Sequence, residues 1–282
     1  MNSSQNNRNL KAGLYVDAAN LAMNGGFGMQ YDVLREFTCR GGAEPIRLNT
    51  YVSYDPQRAE TDAEYRNKQH GFHAVLRDFG FKVIQKETKW YTDDVGNRFG
   101  KANVDLDLAV DALLQSENLD RVVLATGDGD FVQVVRALQN RGCRVEVVAF
   151  DNVSGDLRRE ADLYVSGYLI PNLLPIARAK NVTEPWGAVG SFVRGVCYAH
   201  NPAKKFGWLR YLKSIDGELW RTDSRDPLSP YEAIFCHESE YPESLELDQL
   251  TNRKFILEFE ISPGQDPGKQ KATNVRAIRS LT

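Results

Sequence analysis

Short apolar runs alternate with helical patterns over the first two thirds of the chain. The runs predict buried strands, and apolar residues at helical spacing predict the helices between them. The predicted strands span residues 12–17, 47–54, 81–85, 122–126 and 144–150, and the main predicted helices span residues 31–40, 60–79, 101–114 and 131–138. This order predicts an α/β domain with a parallel sheet flanked by helices, because parallel strands need crossover connections and cover on both faces. We expect an apolar helix with Leu169, Leu173, Leu174 and Ile176 to close the domain.

Beyond residue 190 the helical pattern disappears, and five strand-like runs are separated by Pro, Gly, Asp and Ser. They span residues 191–198, 207–211, 233–236, 254–261 and 272–278. Such short strands predict a small all-β barrel, most naturally an OB-fold. Pro and Gly residues before them are typical of a linker. The predicted organisation is a disordered start over 1–11, an α/β domain over 12–179, a linker over 180–190 and a barrel over 191–282.

Composition narrows the class of protein only slightly. The formal net charge of −3 over 282 residues does not identify a partner. No apolar run approaches the roughly 20 residues that cross a bilayer, and the polar first eleven residues lack the apolar core of a signal peptide. The four cysteines are far apart and form no C-x-x-C pair. We therefore expect no membrane contact, reduced thiols and a cytoplasmic location.

A pair of acids marks the end of the fourth predicted strand. The chain there is T-G-D-G-D-F, residues 126–131, and a helical pattern follows it. Asp128 and Asp130 thus lie in a strand-to-helix turn, at the sheet edge where α/β proteins bind ligands. An alternative is that Asp130 only caps the next helix and Asp128 is a turn residue.

Two other segments bring acids toward the same edge. Asp17 ends the first predicted strand, with Asn20 just beyond it, and Asp105 lies in the first turn of the helix over 101–114. Asp105 and Asp107 are about 200° apart on that helix, so only one can face the edge, and we favour Asp105. The alternative for Asp105 is that it only complements the helix dipole. Asp111 is expected to support the site rather than to bind the same ion.

These acids point to a divalent cation. Asp17, Asp105, Asp128 and Asp130 in one pocket would repel each other strongly, and carboxylates with water are the ligands that Mg²⁺ or Mn²⁺ prefers. Such a site can activate water for attack on a phosphodiester, without a nucleophilic side chain from the protein. The expected cofactor is therefore Mg²⁺ or Mn²⁺.

Three segments carry a resemblance to a known family. D-A-A-N at 17–20, K-A-N-V-D-L-D-L-A-V-D at 101–111 and T-G-D-G-D-F at 126–131 resemble the NYN domain, a PIN-like nuclease fold, and in particular its bacterial LabA-like branch. The resemblance covers about residues 12–170. It implies a metal-dependent ribonuclease with Asp17, Asp105, Asp128 and Asp130 as metal ligands. It also implies that Asn20 and Thr126 position these ligands or the phosphate.

The predicted barrel carries a second resemblance. N-P-A-K-K-F-G-W-L at 201–209 and Y-E-A-I-F-C-H-E-S at 231–239 are similar to the two RNA-binding motifs of cold-shock domains. Aromatic rings stack on unpaired bases and basic groups meet phosphates, so these motifs predict a single-stranded RNA face. Its predicted residues are Lys204, Lys205, Phe206, Trp208, Phe235 and His237, with Arg210 beside them. Alternation places Phe206 and Trp208 on one face but leaves open whether that face is wet or is barrel core. The pattern departs at Ala199, His200 and Lys205.

The leading hypothesis is a metal-dependent endoribonuclease with a C-terminal RNA-binding barrel and single-stranded RNA as its partner. The alternative is a non-catalytic regulatory RNA- or protein-binding protein of the LabA-like type. A phosphatase with an aspartyl nucleophile ranks last, because Asp17 is followed by Ala18 and Ala19 instead of a D-x-D pair. A homo-oligomer or a regulatory protein partner remains open.

Overall fold

The computed structural model describes residues 9–92, 95–252 and 254–280. The chain divides into two compact units. The first, here called the α/β unit, comprises the residues up to Phe27 and Leu34–Val165. The second, the barrel unit, comprises Gly28–Val33 and the residues from Ser166 onward. Most of the predicted disordered start, residues 1–8, lies outside the described residues.

The α/β unit contains a six-stranded parallel sheet and a separate two-stranded hairpin. The strands are β1 Lys11–Asp17, β2 Glu44–Tyr54, β3 Lys82–Glu87, β4 Lys89–Thr92, β5 Arg98–Lys101, β6 Arg121–Ala125, β7 Arg144–Ala149 and β8 Leu163–Ser166. Their order in the sheet is β3-β2-β1-β6-β7-β8, and β4 pairs with β5. The predicted parallel α/β sheet is confirmed. Because β1 and β6 are neighbours, with Val16 opposite Ala125, their carboxyl ends meet at the centre of one edge.

The helices are α1 Ala18–Leu21, α2 Tyr31–Thr38, α3 Pro56–Thr61, α4 Ala63–Asp78, α5 Val104–Gln115, α6 Val132–Asn140 and α7 Gly155–Glu160. The helix predicted over 60–79 is found as α4, but it begins three residues later than predicted, at Ala63. Asp62 has an extended backbone with φ −118°, and its carboxylate accepts a hydrogen bond from Tyr65 N at 2.8 Å. This acid therefore caps α4 instead of continuing α3, as short acidic side chains do at helix starts.

The core of the α/β unit joins the sheet to α5 and α6. Its fully buried side chains include Tyr15 and Tyr51 from the strands and Leu108 and Leu138 from the two helices. The two aliphatic residues belong to the apolar helical patterns seen in the sequence. The packing fixes α5 against the sheet, so the first turn of that helix reaches the edge where β1 and β6 end.

The barrel unit contains a closed five-stranded barrel in the order β10-β11-β13-β12-β9. Its strands are β9 Phe192–Asn201, β10 Phe206–Leu212, β11 Tyr231–His237, β12 Phe255–Pro263 and β13 Gln270–Ser280. The contact between β11 and β13 is parallel, and the other four contacts are antiparallel. The predicted small all-β barrel is confirmed, and each of the five predicted strand runs overlaps one of these strands.

The helix predicted around Leu169 to Ile176 is wrong. The structure has short 3-10 turns at Gly167–Leu169 and Ala177–Ala179, and no α-helix is described between Ser166 and Phe192. Pro171 and Pro175 explain the difference, because proline lacks a backbone N–H and clashes with the preceding helical turn. Leu173 and Ile176 are nevertheless buried. Apolar spacing thus identified buried positions here but not the backbone conformation.

The four cysteines form no disulfide; Cys143, Cys197 and Cys236 are buried and Cys39 is half-buried. This agrees with the predicted reduced thiols. Over the described ranges, none of the helices combines the length and apolar character required to cross a membrane.

Candidate metal centre and nucleic-acid face

Asp17 ends the central strand β1 and is only 4% exposed. One carboxylate oxygen caps α1 by accepting a hydrogen bond from Asn20 N at 3.0 Å. The other accepts a long hydrogen bond, 3.5 Å, from the hydroxyl of Thr126 at the end of β6. Asp17 is therefore held by groups from two neighbouring strand ends.

The turn after β6 is tied to the turn after β1. Gly127 N donates to the side-chain oxygen of Asn20 at 2.9 Å. Within the turn, Asp128 N donates to Thr126 Oγ1 at 3.3 Å, and Asp130 N donates to Asp128 Oδ1 at 2.9 Å. The two polar residues Asn20 and Thr126 thus connect the strand ends that carry the acids.

The structure corrects the capping alternative for this turn. Asp128, not Asp130, is the capping residue, and it caps the 3-10 turn Gly129–Phe131. The following helix α6 begins after Phe131 without a side-chain cap. Asp130 is exposed and Asp128 is half-buried. Capping accounts for one oxygen of Asp128 and leaves the exposed Asp130 carboxylate without a capping role.

The acids of α5 divide between the edge and its surroundings, as the helical angles predict. Asp105 lies in the first turn and is exposed, and its charge acts on Asp17. Asp107 instead forms an ion pair with Lys86 Nζ at 2.7 Å. Asp111 accepts a hydrogen bond from Tyr51 Oη at 2.9 Å. Of these acids, Asp105 is the one whose charge reaches Asp17.

Burial is the main reason why the pKa of the Asp17 carboxyl is raised from 3.8 to about 6. The charges of Asp105 and Asp128 raise this pKa further, whereas the hydrogen bonds from Asn20 and Thr126 lower it. Three acids from three segments are therefore close enough to act on one another. We call Asp17, Asp105, Asp128 and Asp130 the rim cluster. Repulsion between these negative charges destabilises the folded protein, and a bound cation would offset this repulsion.

The donor chemistry of the rim cluster fits a hard divalent cation. In the part of the chain that the structure describes, no three His, Cys, Asp or Glu side chains converge closely enough to hold an ion by themselves. Mg²⁺, however, is usually bound through one or two carboxylates, with water and substrate phosphate as its other ligands. Asp17 and Asp128 suit this mode of binding.

A loop beside the rim cluster was not predicted from the sequence. Residues 150–154 follow β7, and Asp151 N donates to the carbonyl of Asn24 at 2.8 Å. The side chain of Asn152 donates to Asn24 Oδ1 at 2.9 Å. A Cβ atom at Gly129 would lie 2.8 Å from Ser154 Oγ, so glycine is needed for this close approach. The run D-N-V-S after a predicted strand was the available signal.

On the barrel, the predicted aromatic residues lie on the outer surface. The buried positions of β10 and β11 include Gly207, Leu209, Ile234 and Cys236. The aromatic residues Phe206, Trp208 and Phe235 alternate with these positions along the two strands, so their side chains point away from the core. Phe206 and Trp208 lie 5.4 and 6.0 Å from Phe235, measured between ring centroids. Trp208 is 38% exposed. We call these three residues the aromatic face; their outward direction answers the question that alternation left open.

The other predicted residues of this face surround it. Lys204, Lys205 and His237 are exposed, and His237 lies opposite Phe206 in the β10–β11 ladder. Lys205 has a left-handed backbone with φ 52°. Glycine is usual in that conformation, which agrees with the glycine that cold-shock motifs carry at this place.

The departure from the cold-shock pattern at His200 has a structural explanation. The side chain of His200 is 4% exposed and lies edge-on to Tyr241, so it packs inward. Tyr198, which the sequence reasoning did not single out, is 37% exposed on the same strand. The guanidinium of Arg210 lies 5.9 Å from the Tyr198 ring and 5.1 Å from the Tyr231 ring. The outer surface of β9 thus presents Tyr198, and His200 belongs to the interior.

Residues 11–170 match the NYN domain family. A curated relative, the "Low amplitude and bright protein LabA" of Synechococcus elongatus, is 30% identical over 160 residues, which is 54% of this chain and 81% of the relative. A crystal structure of a Vibrio parahaemolyticus protein of unknown function is 27% identical, with a TM-score of 0.43. That match covers 59% of this chain and 96% of the Vibrio protein.

Proposed function

We propose that this chain, which belongs to the NYN domain family of PIN-like nucleases, is a metal-dependent ribonuclease that hydrolyses phosphodiester bonds of single-stranded RNA. The observation that carries the proposal is the buried Asp17 carboxyl, whose pKa is raised by burial and by the charges of Asp105 and Asp128. Strongly perturbed acids at a sheet edge are typical of sites that bind metal or perform catalysis. Helix capping alone would not require three acids from separate segments.

Each residue of the rim cluster has a role in the proposal. Asp17 and Asp128 hold Mg²⁺ or Mn²⁺, and the exposed acids Asp105 and Asp130 favour the cation by their charge. Asn20 and Thr126 keep the two strand ends in register through their hydrogen bonds. A divalent cation supplies activated water and stabilises the charge that develops at phosphorus.

The aromatic face has a binding role in the proposal. Unpaired bases stack on the rings of Phe206, Trp208 and Phe235, while the phosphates form ion pairs with Lys204 and Lys205. Base stacking of this kind is tolerant of sequence, because every base has a π face.

The test is cleavage of a labelled single-stranded RNA by the full chain with Mg²⁺, with Mn²⁺ and with EDTA. We expect cleavage with a divalent cation that EDTA removes and that the double variant Asp17→Asn, Asp128→Asn lacks. Asp107→Asn is the matched control, because this acid lies on α5 but pairs with Lys86, and it should retain cleavage. Equal cleavage by the double variant and the wild type would contradict the proposal.

A second candidate function is a non-catalytic regulator of the LabA-like type that binds RNA or protein. The lack of three convergent metal donors among the described residues favours it, as does the similarity to LabA. The same experiment separates the two functions. RNA binding without cleavage under any of the metal conditions would support the regulator.

A further inference from the structure

We infer that Phe27 is a base-stacking residue, which holds an unpaired base of single-stranded RNA beside the rim cluster. Met23, four residues earlier, contributes a second apolar contact to the same base. We call residues 22–27, which follow α1, the stacking loop. This inference rests on the proposed function, because it names how the same site holds its substrate. The sequence motifs that resemble the two families do not include this loop.

The two large apolar side chains of the stacking loop are almost fully exposed. Phe27 is 84% exposed and Met23 is 78% exposed. Burial of such a side chain stabilises a folded protein by about 1.5 to 3 kcal/mol relative to exposure. Neither residue contributes this stabilisation to the core of the α/β unit. Their exposure therefore has no explanation in the packing of the fold.

The backbone of the stacking loop is nevertheless anchored. The carbonyl of Asn24 accepts a hydrogen bond from Asp151 N at 2.8 Å, and its side-chain oxygen accepts one from Asn152 at 2.9 Å. A Cβ atom at Gly26 would lie 2.5 Å from the ring of Phe150, so glycine is needed where the loop packs against this ring. A fixed backbone presents exposed side chains at a low entropic cost of binding.

The stacking loop is joined to the rim cluster through Asn20. The side chain of Asn24 donates to the carbonyl of Asn20 at 2.7 Å, and the side-chain oxygen of Asn20 accepts from Gly127 N at 2.9 Å. Met23 follows Asn20 by three residues, so the two are neighbours on the helical surface. Phe27 follows Asn24 by three residues, a reach of at most about 11 Å. A nucleotide close to a phosphate at the rim cluster can therefore contact Phe27.

The size of this apolar surface suits one base and not a protein partner. An aromatic side chain buries about 150 to 250 Å² when it is covered, whereas a stable protein interface needs about 800 Å² from each partner. Stacking of a base requires only one ring face, and any base provides it. The thioether chain of Met23 is flexible and adapts to bases of different size. An unpaired base of RNA is therefore the occupant that these features favour.

The test compares two fluorescently labelled oligomers of equal length, an oligouridylate and an abasic ribose phosphate oligomer. The protein is the full chain with Trp208→Ala, Phe235→Ala, which reduces binding by the aromatic face, and Ca²⁺ replaces Mg²⁺. We expect Phe27→Ala to weaken binding of the oligouridylate by about fivefold to 150-fold and to leave binding of the abasic oligomer unchanged. Where Ca²⁺ supports cleavage, KM takes the place of the affinity.

Three further variants separate stacking from general apolar contact. Phe27→Trp should restore the affinity, because a π face returns, whereas Phe27→Leu should not. Met23→Ala should weaken binding less than Phe27→Ala does. Leu10→Ala is the matched control, since this residue is 46% exposed but precedes β1 and so lies at the opposite edge of the sheet. It should bind both oligomers as the parent protein does.

The outcomes distinguish this inference from the proposed function. The thermal transitions of the Phe27 variants should match that of the parent, because the ring is outside the core. Unchanged affinity for the oligouridylate in folded Phe27→Ala would overturn the inference, and so would an equal loss for both oligomers. Phe27-dependent binding by a protein that never cleaves RNA would support the stacking role and contradict only the nuclease. In an active enzyme, Phe27→Ala should raise KM for the oligouridylate and leave cleavage of the abasic oligomer unchanged.

Discussion

At the rim of the α/β unit the polar groups are fixed by the backbone, whereas the outer aromatic residues of the barrel are held mainly by one another. Asp17 and Asp128 each accept a hydrogen bond from a backbone N–H and so have set positions. The rings of Phe206 and Trp208 instead pack against the ring of Phe235 on a partly exposed surface. Fixed charge suits chemistry at one defined atom, while exposed rings suit binding of many sequences.

The two regions also differ in their effect on the stability of the folded protein. The rim cluster places like charges together and buries one of them, so it is destabilising without a cation. The aromatic face adds to a barrel whose inner positions already form a complete core, including Leu209, Ile234 and Phe259. We therefore expect removal of a rim-cluster charge to raise stability and lower activity, and changes on the aromatic face to alter binding alone.

The largest expected effect is on the aromatic face. Trp208→Ala, Phe235→Ala should weaken single-stranded RNA binding by about fivefold to 150-fold per stacked base, with little change in the thermal transition. Leu209→Ala is the contrasting control, because this neighbour is 0% exposed in the core. It should lower the free energy of unfolding by about 2 to 5 kcal/mol. An RNA affinity of the double variant equal to that of the wild type would contradict the binding role of this face.

The next effect is on stability at the rim. The pKa of Asp17 is about 6 in the folded protein, against an ordinary value of 3.8, so the folded state binds the proton more tightly. Its contribution to stability is therefore present below pH 4 and is lost as pH rises through 6. Asp17→Asn keeps an oxygen for Asn20 N, and it should raise the free energy of unfolding by about 3 kcal/mol at pH 8. The gain should disappear near pH 4.

Chemical unfolding of the metal-free wild type and Asp17→Asn across this pH range checks the prediction. Added Mn²⁺ should reverse the order at pH 8 by stabilising only the wild type. A variant that is less stable than the wild type at pH 8 without metal would show that Asp17 is not under electrostatic strain.

The smallest expected effect concerns Thr126. Its hydroxyl accepts from Asp128 N at 3.3 Å and donates to Asp17 at 3.5 Å, and both hydrogen bonds are long. Thr126→Val should cost about 1 kcal/mol of stability and reduce cleavage severalfold. Thr126→Ser keeps the hydroxyl and should retain more of the rate than valine does. If valine retains the rate and serine loses it, the methyl group and not the hydroxyl matters.

Much of the fold could be predicted because its signals are local. Apolar runs indicated β1, β6 and β7, and period-two segments broken by Pro and Gly indicated the five barrel strands. The separation of Asp105 from Asp107 followed from helical geometry alone, and the ion pair of Asp107 with Lys86 agrees with it. Such features depend on a few consecutive residues.

The remaining features depend on contacts that no short segment contains. Asn152 hydrogen-bonds to Asn24, at a sequence separation of 128, only because β7 and β1 end at the same edge of the sheet. The break at Asp62 reflects competition between capping and helix continuation, which apolar spacing does not reveal. The capping role of Asp128 in place of Asp130 depends on a 3-10 turn preceding α6. Sequence patterns thus predicted that Asp105 and Asp128 lie close enough to act on Asp17, but not how each acid is held.

The most direct measurement of the central claim is a Mn²⁺ titration of the full chain, followed by the electron paramagnetic resonance signal of free Mn²⁺ at pH 7.5. The account predicts a saturable site in the wild type and in Asp107→Asn, which the double variant Asp17→Asn, Asp128→Asn lacks. Saturable binding of equal strength in the double variant would contradict the claim that the rim cluster holds the metal. Absence of binding by the wild type, with or without RNA, would contradict it equally.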